Sequence, residues 1–597
     1  MRMTNSFRAI SVMVLLLTAA MLVAACSSEE AAAPAPAKPA QAAATATPIG
    51  AGYLATPTPV PVGEQVRAGG YATWGVRRDP PAAFDMMMTT IWYDLHQIAA
   101  GIWGSGNLVR PCLDDVYSPC PALATAWESN DDFTEWTFTL REGVSWHDGT
   151  PLTAEDLKFW LDLVFKGYNE GGNVRKPAWY STSMGVYNRT DILDATHLKI
   201  VLDQGNPLFV QILFTPYYTI AHQRSRTQPE LEAGNTTVAP LELDMMGLGP
   251  FDFDIYKKGS VARVAKNEAY WEEDENGLSL PYLEGMDFAI MTSPDLMDAA
   301  IRTGRLDGGS PGFGYILTQP RYEAYRADLG DDFYVVQVPS SFGAGGGSGL
   351  SFNVLKEGPW QDVRVRKAMS LWIDKHESID AVTGGFGLVT GLLNPVNPFT
   401  NPDVLTWPGF NKDTKAADQA EAKKLMAEAG YPDGGFEMSY NCLTTGAWRD
   451  RCEFLAAQLA ELGITLKLDL MDAPAWKEAA ASLRYDAVQS AGGIVSPIPE
   501  ANIPAYLPFS ENPAGVAKHE DQHIKDLLEK LRISNDLDER ISIWREFERY
   551  WLLEQVYAIP IAGNLATIPY RSWVKGRIAP REQIMAYQDF TTVWLDK

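Results

Sequence analysis

The run Pro121 to Asp156, PALATAWESNDDFTEWTFTLREGVSWHDGTPLTAED, decides the fold class of this chain. Trp136, Phe138 and Leu140 alternate with Thr137, Thr139 and Arg141, the period-two pattern of a strand with one buried face. A turn at Glu142-Gly143 follows, then Val144 to Trp146 and His147-Asp148-Gly149-Thr150-Pro151. Thr153, with Asp156 three residues on, stands where an N-cap and its reciprocal acid open a helix over Ala154 to Phe165. Nothing in the run reads as catalytic.

Alternation continues downstream: Phe436 to Asn441 reads as a strand, Asp450 to Leu462 as a helix and Ile464 to Leu470 as a strand, which gives α/β lobes. Further landmarks follow in order. They are GLGPFDFDIYKKGSVARVAKNEAYW (Gly247 to Trp271), RTGRLD (Arg302 to Asp307), and Phe352-Asn353 followed by Asp362, Arg364, Arg366, Ala368 and Asp374. AKKLMAEAGYPDGG (Ala422 to Gly435) and QLAELGI (Gln458 to Ile464) complete the set. Together with the opening run they resemble the family 5 extracellular solute-binding proteins of ABC importers, receptors for peptides, nickel and oligosaccharides.

The resemblance implies a periplasmic-binding-protein-like clamshell of two main lobes plus the extra domain of the large peptide-binding class. Lobe I is expected over 68–105, 240–340 and 560–597, lobe II over 106–239, and lobe III over 341–559. The glycine run Gly343 to Gly349 falls at a crossing between lobes and reads equally as part of a hinge or as a surface loop. The implied function is capture of an extended solute between lobes and delivery to an ABC permease with its ATPase subunits. No cofactor is expected, and the protein is expected to act as a monomer.

The amino terminus carries Arg2 and Arg8, an apolar stretch from Val12 to Ala25, and Val23-Ala24-Ala25-Cys26. That is the form of a lipoprotein signal, over residues 1–25, with Cys26 the lipidated residue. Its apolar stretch is short of the ~20 residues a membrane-spanning helix needs. From Ser27 to about Val66 the chain is mostly Ala, Pro and Thr, a composition that cannot bury enough apolar surface to fold. As a largely extended tether of about forty residues it reaches on the order of 100 Å from the membrane.

Beyond Cys26, four of the five cysteines form two close pairs, Cys112 with Cys120 and Cys442 with Cys452. In an oxidising compartment these read as two local disulfides, although four cysteines allow three connectivities. The 597 residues carry a net charge of -25, which argues against nucleic acid or an anionic membrane surface as a partner. His519-Glu520-Asp521-Gln522-His523 spells H-E-x-x-H, the zinc-peptidase pattern. Charged and polar residues between the histidines, and an apolar stripe that begins only at Ile524, place both histidines instead at the polar start of a surface helix. No metal is expected there.

Ligand candidates come from two sources. In the peptide-binding branch that the chain resembles, a W-x-x-D stretch holds the ligand's ammonium, and the matching positions are Gly492, Gly493, Ile494 and Val495, without tryptophan or aspartate. Asp79, beside Arg78 at the end of the first strand, is the alternative acid. Of eighteen tryptophans, Trp136, Trp146, Trp271 and Trp551 fit core patterns, whereas Trp92, Trp103 and Trp448 do not and are candidates to stack on a ligand, sugar rings included. Peptide leads as the expected solute, with oligosaccharide second.

Overall fold

The computed structural model describes residues 66–88, 98, 102–103, 106–112, 118–178, 181, 187–214, 219–309, 317–339, 348–444, 447–490, 499–576 and 590–597. Strand β1 (Tyr71–Val76) opens it with alternating burial, and Trp74 lies fully buried against Tyr570 and Phe590. A β-carbon on Gly308 would stand 2.8 Å from the Trp74 ring, so the neighbouring strand leaves room for the indole only by carrying glycine.

The decisive run folds as read. Strands β2 (Ala124–Ser129) and β3 (Glu135–Leu140) form an antiparallel hairpin, with Trp136, Phe138 and Leu140 inward. Helix α1 (Ala154–Lys166) begins with a complete capping box: Thr153 Oγ1 accepts from the Asp156 amide, and Asp156 accepts from the Thr153 amide. Strands β4 (Tyr187–Ile192) and β5 (His197–Leu202) complete a four-stranded sheet in the order β2-β3-β5-β4. A buried ion group joins this part to the segment after β1. Arg175 Nη2 lies 2.5 Å from Asp85 Oδ2, and His222 stacks on Trp160 beside the same carboxylate.

The chain then returns to β1. Strands β6 (Phe251–Lys257), β7 (Val261–Lys266), β8 (Gly285–Ile290), β9 (Gly308–Gly309) and β10 (Phe333–Pro339) add to its sheet. A second α/β body follows, made of β11 (Gly349–Phe352), α2 (Val363–Trp372), β13 (Phe436–Leu443), α3 (Ala447–Ala460), β14 (Ile464–Met471) and β15 (Ala487–Gln489), while β12 (Gly387–Leu388), between α2 and β13, pairs back onto the first sheet. Helices α4 (Gln522–Ile533) and α5 (Leu537–Arg549) and strand β16 (Ala558–Pro560) end the second body, and β17 (Gly563–Arg571) crosses back. Among the described residues the first sheet has eight strands, ordered β6-β7-β8-β1-β9-β17-β10 with β12 on β17. The second has five, ordered β14-β13-β15-β11-β16.

The polar landmarks of the sequence turn out to hold this frame. Asp307 accepts from the Thr73 amide and the Trp573 indole. Asn353 donates to the Leu483 and Tyr485 carbonyls. Buried Arg366 donates to four carbonyls, those of Trp360, Gln361, Gln555 and Val556. Asp362 caps α2 through the Arg364 amide. Both cysteine pairs are bonded, Cys112 to Cys120 and Cys442 to Cys452.

Candidate functional site

Two strands carry the chain from one sheet to the other and back, side by side. Pro339 of β10 pairs with Leu565 of β17, and Gly349 of β11 pairs with Pro560 of β16. Register then fixes direction. β1, β8 and β9 run parallel in the first sheet, β13, β14 and β15 run parallel in the second, and both sets end at the crossings. Carboxyl ends of parallel strands are where open α/β sheets bind ligands, because amides and loops converge there. The candidate site is therefore the crevice between these two edges.

On the first edge stand Arg77, Arg78 and Asp79, half-buried directly after β1. Asp79 Oδ1 accepts from the Tyr256 hydroxyl and the Gly259 amide, both at 2.7 Å. The acid thus ties its loop to the β6–β7 turn, and burial together with this carboxylate pushes the Tyr256 phenol upward. One oxygen is committed to the scaffold before any ligand arrives.

On the second edge Trp448, half-buried, sits in the first turn of α3. Gln489, the last residue of β15, donates to the Trp448 carbonyl at 2.6 Å and accepts from the Leu443 amide at 2.9 Å, joining the ends of β13 and β15 to the start of α3. One turn on, the Arg451 guanidinium lies 4.7 Å from the Trp448 ring centroid and donates to Asn564 Oδ1 at 3.1 Å. Burial lowers Arg451 to about 10, so it stays cationic at neutral pH. Gln489, Arg451 and Asn564 were not singled out from sequence. The one available signal was the three-residue spacing of Trp448 and Arg451, which places them on one helix face.

The other candidates distribute differently. Trp103 is fully buried and its indole donates to the Met246 carbonyl at 3.0 Å, so it is a core residue and not ligand-facing. Trp92 and the Gly492, Gly493, Ile494 and Val495 loop lie outside the described residues, as do Cys26 and the glycines from Gly343 to Gly347. Trp136, Trp146 and Trp551 are buried, and Trp271 stacks under Arg141 at 4.0 Å.

The H-E-x-x-H segment departs from expectation in one respect. His519 is not on the helix: Asp521 is the N-cap of α4, and His519 is buried before it, stacked on Tyr557. Its Nε2 meets the Tyr506 carbonyl and its Nδ1 accepts from the Asp521 amide, while His523 packs on Tyr550 at the surface. Among the described residues no group of three or more His, Cys, Asp or Glu is placed to hold a metal ion. Asp131 and Asp132 stand exposed at the β2–β3 turn. No helix among the described residues is long and apolar enough to cross a membrane.

Known proteins place this architecture. The chain is 24% identical over 402 residues to the glutathione-binding protein GsiB of Salmonella paratyphi A, covering 66% of this chain and 67% of that one. It is 25% identical over 479 residues to the dipeptide-binding protein of Escherichia coli K12, covering 77% and 83%. The periplasmic binding protein DppA from Helicobacter pylori, solved with the peptide STSA, superposes with a TM-score of 0.66 at 21% identity, over 89% of this chain and 99% of that one. The description "bacterial extracellular solute-binding proteins, family 5 Middle" matches residues 118–512, two-thirds of the length, and the chain belongs to that family of ABC-importer receptors.

Proposed function

We propose that this protein is a lipid-anchored receptor that captures peptides in the crevice between the two sheets and hands them to an ABC permease. The observation that carries this reading is the double strand crossing, which faces the carboxyl edge of one parallel set against that of the other. Such a hinge lets one body close over a ligand held by the other, and the closed form is what a permease can recognise. The relatives named for glutathione and dipeptides, and the DppA complex with STSA, support peptide as the solute class. The family is one of binding proteins, and we assign no catalytic residue.

Asp79 is proposed as the acid that meets a ligand ammonium through its second oxygen, with Arg78 beside it and Trp448 on the opposite wall. Gly492, Gly493, Ile494 and Val495 are proposed to line the same crevice. The lobe boundaries proposed are 68–105, 240–340 and 560–597 for lobe I, 106–239 for lobe II and 341–559 for lobe III. The common sheet of β1, β6 to β10 and β17 supports the first. Anchoring through Cys26 and a monomeric state complete the proposal.

The test is calorimetric titration of the protein lacking residues 1–26 against di- to pentapeptides and a maltodextrin series, with mass spectrometry of any ligand that co-purifies. Tight peptide binding that falls in Asp79→Asn supports the reading. Binding of sugars alone would replace peptide with oligosaccharide.

A further inference from the structure

The hinge strand β17 and the ligand wall on α3 are joined by a buried side-chain bridge. Gly563 and Asn564, the first two residues of β17, pair through their backbones with Leu388 and Gly387 of β12, while Leu565 to Arg571 pair with β10. β17 thus carries the first sheet up to the crossing, directly after β16 of the second sheet. Into its start projects Arg451, only 3% exposed, reaching from α3 to Asn564 Oδ1 at 3.1 Å while its guanidinium covers one face of Trp448.

Two further constraints make this side chain a transmitter of position. The residue after Arg451 is Cys452, bonded to Cys442 of β13, so α3 cannot slide along its sheet. Gln489 holds the Trp448 carbonyl, which fixes the backbone under the indole. With the main chain pinned at both points, one face of the indole is covered by a planar cation that also bonds the hinge strand.

We propose that Arg451 is a positioning residue that couples the hinge strand to Trp448, so that the aromatic wall is presented in register with closure of the crevice. The proposal rests on the reading of that crevice as the solute site. Arginine suits the task because its planar fork donates and stacks at once, whereas the point charge of lysine does not.

The test is a double-mutant cycle on solute affinity and dissociation rate, with Arg451→Lys, Asn564→Ala and the pair. The probe is trialanine, or maltotriose if the wild type binds only sugars. Each single variant is expected to weaken binding on the order of five- to tenfold, mostly through faster dissociation. The pair is expected to lose little more than either single, because both cut one bridge. Thermal unfolding of the ligand-free variants separates this from simple damage, since Asn564→Ala removes one hydrogen bond and should melt within a few degrees of wild type. Wild-type affinity in both singles, or full additivity in the pair, overturns the coupling while leaving the receptor reading intact. A wild type that binds neither probe overturns both.

Discussion

Single residues in this protein separate recognition of the family from recognition of the solute. Arg366 and Asn353 matched the pattern that identified the family, yet their side chains hydrogen-bond to backbone groups, so they report the fold and carry no information about the ligand. Lys375 is a more extreme case of a buried polar head. Its ammonium donates to the Ser370 carbonyl at 2.8 Å and lies 4.6 Å from the centre of the Phe410 ring. Burial, then the neighbouring Lys415, lowers it from 10.5 to about 7, with Asp418 and Asp374 opposing. Burial lowers Lys415 to about 8 in the same way. Between about 7 and 10.5 the unfolded chain holds the Lys375 proton and the folded chain does not, so stability from this group rises with pH over that window. Lys375→Met should flatten the rise, by at most about 1.4 kcal/mol per pH unit. Denaturant unfolding of wild type and variant at successive pH values from neutral upward reads the difference. Equal slopes would show that the ammonium stays charged in the folded state.

At the scale of elements, local pattern and local structure agree closely where the signal is short-range. The period-two run placed β3, and Thr153 with Asp156 placed the start of α1, because alternation and capping act within a few residues. The strand, helix and strand read from Phe436 to Leu470 recur as β13, α3 and β14. What sequence did not show depends on residues far apart. Trp103 is in the core because its indole reaches Met246, 143 residues away, and Arg451 meets Asn564 across 113 residues. His519 left the predicted helix because the Tyr506 carbonyl and the Tyr557 ring offered its imidazole a buried place. The capping box gives the element-scale prediction. Thr153→Ala removes the acceptor for the Asp156 amide and should cost about 0.5–2 kcal/mol in denaturant unfolding. Thr153→Ser, which keeps the hydroxyl, should recover most of that loss.

Across the whole molecule, the crossings decide how the two bodies can move, and one residue shows how tightly they are built. Gly349 opens β11 with φ at 144°, and a β-carbon there would stand 2.1 Å from the Ile559 carbonyl oxygen on β16. A side chain must therefore push the paired crossing strands apart at the point where they leave the second sheet. The backbone conformation and the contact together cost on the order of 1–3 kcal/mol. Gly171 is the matched control: its φ of 60° is also left-handed, but no atom lies within 4 Å of its would-be β-carbon. Gly171→Ala should lower stability slightly and leave solute binding unchanged, whereas Gly349→Ala should also displace β11 from β16 and thereby alter how far the crevice can close. Small-angle scattering with and without bound solute reads this directly, as the contraction on binding. A smaller contraction and weaker binding in Gly349→Ala, against normal values in Gly171→Ala, would establish the paired strands as the mechanical axis. Normal contraction in both variants would mean that closure is governed elsewhere, and that the close approach at Gly349 serves only to hold the second sheet together.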